Sequence, residues 1–176
     1  MMQKTLVLNV IGRDRPGLVD ALATAIATHG GSWCGSRMAR LAGQFAGIVE
    51  VEVDGGREAE LREELAGLAG RGLAVSVVDA ASPEGEAAET RLVTVEVVGS
   101  DRPGIVKGVS RALAESGANV VDLETTRGGA AMTGVPMFEA RAVVQLPAAV
   151  AMADVRGRLE ALAADLMVEL TVGEGA

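Results

Sequence analysis

Two short strings carry the densest chemistry in this chain: Asp14-Arg15-Pro16-Gly17 and Asp101-Arg102-Pro103-Gly104. Each sets a carboxylate, a guanidinium and a glycine within four residues. A carboxylate accepts hydrogen bonds from an ammonium group, and a guanidinium donates paired hydrogen bonds to a carboxylate. Proline before glycine marks a turn, and proline is tolerated in the first turn of a helix. If a helix opens at each string, its first N–H groups lack intrahelical partners and carry partial positive charge. Such a terminus favours an anionic group, and a glycine there lets a ligand approach the backbone closely. The chemistry on offer is recognition of a small zwitterion. The same residues also suit a purely local role, with Asp capping the helix and Gly permitting tight packing.

The two strings are copies of one another. Val10-Ile11-Gly12-Arg13-Asp14-Arg15-Pro16-Gly17-Leu18-Val19 returns as Val97-Val98-Gly99-Ser100-Asp101-Arg102-Pro103-Gly104-Ile105-Val106, an offset of 101 − 14 = 87 residues. The elements around them repeat too. Strands are predicted from Thr5 to Ile11 and from Leu92 to Val98, both rich in β-branched residues and ending at a glycine. Helices follow, with apolar stripes Leu18, Leu22, Ala25, Ile26 and Ile105, Val109, Ala112, Leu113. Gly30 and Gly117 stop them. Second strands are expected at Ser32 to Leu41 and Asn119 to Thr126, and third strands at Phe45 to Val53 and Met137 to Leu146. Gly128 to Pro136 reads as a hairpin loop about six residues longer than its counterpart. Leu61, Leu65, Leu68 and Val155, Leu159, Leu162 mark second helices. Leu73 to Val78 and Leu166 to Val172 are the last strands.

Each half therefore reads β-α-β-β-α-β, an α+β arrangement of the ferredoxin-like kind, in tandem. The stretch AASPEGEAAE from Ala80 is small, polar and acidic, as a linker is. The expected organisation is a first domain at 1–80, a linker at 81–90 and a second domain at 91–176.

Composition narrows the function. Of 176 residues, 49% are hydrophobic and 23% charged, which fits a globular protein. The net charge is −8 and Lys and Arg are nowhere clustered, so direct nucleic-acid binding is not expected. Phe45, Phe138 and Trp33 are the whole aromatic complement, too few for a base-stacking platform. Cys34 is alone, which excludes an internal disulfide and argues against a cysteine metal site. His29 is the sole histidine and sits at a predicted helix end, so no Ser-His-Asp or Cys-His triad is in view. No metal, cofactor or catalytic activity is expected. No stretch reaches membrane-span length and the first residues lack a cleavage pattern, so the expected location is cytoplasmic.

Gly-x-Asp-Arg-Pro-Gly between a first strand and a first helix resembles the ACT domain signature, and Gly117-Ala118-Asn119-Val120 resembles the start of that domain's second strand. Two copies filling nearly the whole chain resemble the glycine cleavage system transcriptional repressor family. Cys34-Gly35-Ser36-Arg37-Met38-Ala39 and Thr133-Gly134-Val135-Pro136-Met137-Phe138 share that likeness. The resemblance implies an amino-acid ligand held where two ACT domains meet. Its contacts would come from the loop before the first helix and from the start of the second strand. Those positions are Asp14, Arg15, Pro16, Gly17, Leu18 and Ser32 in the first half. In the second they are Asp101, Arg102, Pro103, Gly104, Ile105 and Asn119. Serine-sensing members carry a contacting histidine two residues before the loop's Asn or Asp, and here Gly12 and Gly99 stand in its place. The resemblance further implies a non-catalytic homo-oligomer that modulates a protein partner, either an enzyme or a DNA-binding regulator of glycine cleavage genes. A second class of function stays open: a ligand-independent assembly module working through exposed sheet edges.

Overall fold

The computed structural model describes residues 2–81, 89–129 and 135–174. The chain divides into two compact units, parted between Glu84 and Gly85. The first runs β1 (Gln3–Arg13), α1 (Leu18–Thr28), β2 (Ser32–Leu41), β3 (Gln44–Asp54), α2 (Glu58–Gly67), a 3₁₀ turn (Leu68–Arg71) and β4 (Leu73–Asp79). The second runs β5 (Thr90–Ser100), α3 (Ile105–Glu115), β6 (Asn119–Gly129), β7 (Pro136–Pro147), α4 (Met152–Leu166) and β8 (Val168–Glu174). The sheets are ordered β2-β3-β1-β4 and β6-β7-β5-β8, and every neighbouring pair is antiparallel. Both units are thus ferredoxin-like, as the repeat implied.

Alternation along the strands builds each core. Leu6, Leu8 and Val10 of β1 and Val49, Val51 and Val53 of β3 are all buried. Leu18, Leu22, Ala25 and Ile26 from α1 and Leu61 and Leu65 from α2 join them in one cluster. The second core repeats the plan with Val93, Val95 and Val97, Ala142, Val144 and Leu146, and Ile105, Val109 and Leu113. Burying one such aliphatic side chain contributes about 1.5–3 kcal/mol, so these stripes are what hold helices to sheet. Among the described residues, no polar or charged residue falls within the buried class.

The helix ends follow from glycine. Gly30 and Gly117 have φ of 70° and 71°, in the left-handed region. Gly30 N–H bonds the Ala27 carbonyl at 3.0 Å and Gly31 N–H the Ile26 carbonyl at 2.9 Å, which closes the helix with a paired return. Gly117 and Ala118 repeat this on Ala114 and Leu113. The β2–β3 connection is the two-residue turn Ala42-Gly43, both with positive φ, the geometry that matches strand twist.

Several boundaries differ from the sequence reading. β1 and β5 extend two residues further at each end than predicted, because β3 and β7 pair with them along their full length. Gly128, Gly129 and Pro136 belong to strands, and the expected loop residues 130–134 lie outside the described residues. Leu166 closes α4 instead of opening β8, and Met167 makes the turn at φ 50°. A run of Ala and Leu continues a helix readily, so the strand starts two residues late. Within the proposed linker, residues 82–88 lie outside the described residues.

Candidate functional site

The two helix openings have one geometry. Gly17 and Gly104 sit at the N-caps with φ of 89° and 101°, and neither helix receives a side-chain cap. The capping role open to Asp14 and Asp101 is therefore not the one they fill. An Asp14 carboxylate oxygen lies 3.3 Å from Arg40 Nη1. Asp101 accepts a hydrogen bond from Arg127 Nε at 2.5 Å. The backbone N–H of each Asp bonds across to its hairpin, Asp14 to the Gly43 carbonyl at 2.9 Å and Asp101 to the Pro136 carbonyl at 2.8 Å. The first backbone bonds of the helices run from Ala21 N–H to Gly17 and from Gly108 N–H to Gly104. The N–H groups of Leu18, Val19 and Asp20, and of Ile105, Val106 and Lys107, thus have no intrahelical acceptor.

The predicted site residues are not equivalent. Pro16, Gly17, Pro103 and Gly104 are exposed, and Asp14 and Asp101 are half-buried. Leu18 and Ile105 are core residues, so their side chains are committed to packing and only their backbone N–H groups are left for other contacts. Arg15 donates to the Arg71 carbonyl. Arg102 is half-buried and makes no hydrogen bond or ion pair among the described residues.

Ser32 and Asn119 lie at the other end of their sheets. Ser32 pairs with Glu52, which pairs with Thr5 of β1, whereas the loop leaves β1 after Arg13. Asn119 pairs with Gln145 and thence Leu92, eight residues from Ser100. Eight residues of strand span roughly 27 Å. Within one unit, then, the helix opening and the strand start are apart. A small ligand cannot touch both within one unit.

Sequence reading missed Arg40 and Arg127. They follow the same offset, 127 − 40 = 87, as Asp14 and Asp101. That shared register was the signal, but pairing them with the Asp residues required the hairpin to be folded. Gly12 and Gly99 also gain a reason. A Cβ at Gly12 would stand 2.4 Å from the Gly72 carbonyl oxygen, and one at Gly99 would stand 2.6 Å from Val168 Cγ1. Gly72, just before β4, and Val168 of β8 fill the space that any side chain would need.

Trp33 packs on the first core, and exposed Cys34 is the extra residue of a bulge between Trp33 and Gly35. His29 Nδ1 lies 3.7 Å from Glu60 at the α1 end. A groove of about 550 Å³ between α3 and α4 takes in Gly104 alone of the predicted residues. Among the described residues no group of three or more His, Cys, Asp and Glu is placed to hold a metal. No helix of the described residues is long and apolar enough to cross a membrane.

Fold and helix openings together define a tandem of ferredoxin-like α+β domains. The ACT domain family model matches residues 4–77 and 91–173. The chain belongs to the ACT domain family and carries two copies of the domain. A solved structure of an unknown protein from Galdieria sulphuraria is 30% identical with a TM-score of 0.83, over 99% of this chain and 100% of that one. A crystal structure described provisionally as a glycine cleavage system transcriptional repressor has a TM-score of 0.73 at 16% identity, over 98% of both chains, a likeness of fold. A UPF0237 protein of Methanocaldococcus jannaschii is 53% identical over 34 residues, 19% of this chain and 38% of that protein. One from Methanopyrus kandleri is 57% identical over 37 residues, 21% and 40%. The matches thus span well under half the length of these curated relatives.

Proposed function

We propose that this chain is a non-catalytic regulatory protein that binds an amino acid at its helix openings and thereby modulates a protein partner. The observation that carries the reading is the repeated opening itself. In both ACT domains a left-handed glycine, unsatisfied N–H groups and a half-buried carboxylate stand together. The N–H groups suit a ligand carboxylate and the Asp suits its ammonium group. Ser32 and Asn119, at the strand starts, are the remaining proposed contacts, supplied by another copy of the chain. Ligand binding then favours one arrangement of domains over others, which is the thermodynamic requirement for a sensor. Similarity of fold to the glycine cleavage repressor structure supports a regulator of those genes as the partner. The protein's net charge of −8 suits a basic protein surface better than nucleic acid. The cytoplasm is the proposed location.

Thermal melts with each common amino acid at millimolar concentration test this. A ligand that binds the folded state alone raises the midpoint. Asp101→Ala and Asn119→Ala are expected to remove the shift while the unliganded melt stays cooperative. A flat response to every amino acid contradicts the proposal. One observation favours the assembly module in that event. Every residue of the edge strand β6 is exposed, with Val120, Val121 and Leu123 at 38–47%. An edge of this kind is a template for pairing with another chain.

A further inference from the structure

The Asp14–Arg40 and Asp101–Arg127 pairs occur in both units at the same register, although the hairpins carrying the arginines differ in length. Stability does not explain the repetition. The arginines are 73% and 67% exposed, and ion pairs at such sites contribute little to folding. Each backbone bond from Asp to hairpin already fixes the loop. What each pair does present, side by side, is an acceptor for an ammonium group and a fork for a carboxylate. That is the complement of an α-amino-acid head group.

Resting on the amino-acid reading above, we infer that Arg40 and Arg127 join the helix N–H groups in reading the ligand carboxylate at the two sites. The ligand's head group takes the place of the internal ion pair. Its ammonium group donates to Asp14 or Asp101, and its carboxylate accepts from Arg40 or Arg127. The exchange needs the arginine to swing aside, which an exposed side chain does at little cost. It also gives the ligand a lever. β2 and β6 are edge strands of their sheets, and each arginine sits near the end of one. Exchanging the internal pair for a ligand changes what tethers that edge.

The test is a binding titration of the full chain with each common amino acid, with its decarboxylated amine and with its deaminated acid. Wild type is compared with the Arg40→Gln/Arg127→Gln double variant and the Arg40→Lys/Arg127→Lys double variant. For an amino acid that binds wild type, the glutamine variant is expected to bind roughly ten- to a hundredfold more weakly, the effect of losing a charged hydrogen-bonded contact. The lysine variant, which keeps charge without the fork, falls between. The amine is expected to lose affinity for wild type and to be indifferent to the arginine substitutions. Unchanged affinity in the glutamine variant overturns the inference and leaves the amino-acid reading standing. So does an amine that binds wild type as well as its parent. No binding of any amino acid to wild type overturns both. Unliganded melts of the variants matching wild type separate lost recognition from lost folding.

Discussion

A glycine can be required by a neighbour far along the chain, and Gly12 is such a residue. An added methyl group there meets the Gly72 carbonyl oxygen at 2.4 Å, a backbone atom that cannot retreat without bending β1 or β4. Gly12→Ala is expected to destabilise the first unit by about 1–3 kcal/mol, the usual cost of overpacking. Gly67 is the control. It is exposed, has φ −62° at the end of α2, and a Cβ there meets nothing within 4 Å. Gly67→Ala is expected to gain about 0.4–1 kcal/mol by restricting the unfolded chain. Urea melts of the two variants check the contrast, and equal effects would contradict the packing account. At this scale the resemblance implied that Gly12 and Gly99 stand where serine-sensing members carry a histidine. It could not show why, since the reason lies at Gly72 and Val168. Arg40 and Arg127 were hidden likewise, because nothing adjacent in sequence ties them to Asp14 and Asp101.

Elements are held by stripes and moored by charges. The apolar positions of α1 were readable at helical spacing, and Leu18, Leu22, Ala25 and Ile26 are its buried residues. Ends were less readable, as Leu166 shows, because helix and strand compete for the same aliphatic run. The charges that fasten α2 to its sheet needed the structure. Glu58 bonds Lys4 of β1 at 2.6 Å and Arg62 at 2.8 Å, and Arg62 reaches Asp79 of β4. The hydrogen bond from Lys4, then that from Arg62, holds the Glu58 carboxyl below its ordinary value of 4.5. A carboxyl depressed in the folded state adds stability above its unfolded value, and that addition is lost as pH falls through the folded value. Wild type is therefore expected to exceed Glu58→Gln in melting midpoint at neutral pH, with the gap closing on acidification below 4.5. A gap that stays constant with pH would show that the mooring is not ionic.

At the largest scale the chain carries the ACT domain twice. The duplication was legible from a single string, because an offset of 87 residues carried strands, stripes and caps along with it. The candidate site was legible only in part. Its helix openings could be named, but Ser32 and Asn119 lie roughly 27 Å away along their own sheets. Spacing in sequence does not reveal which end of a sheet a residue occupies, so this separation could not be read from the string. The most direct measurement of the central claim is an ¹H–¹⁵N correlation spectrum of the labelled chain, titrated with an amino acid that raises its melting midpoint. The account predicts that the largest shifts fall on the amides of residues 14, 15 and 17–20 and of residues 101, 102 and 104–107. Shifts confined to the open sheet faces, or to α3–α4 groove residues such as Arg111, Glu115 and Arg158, with those amides unmoved, would contradict it.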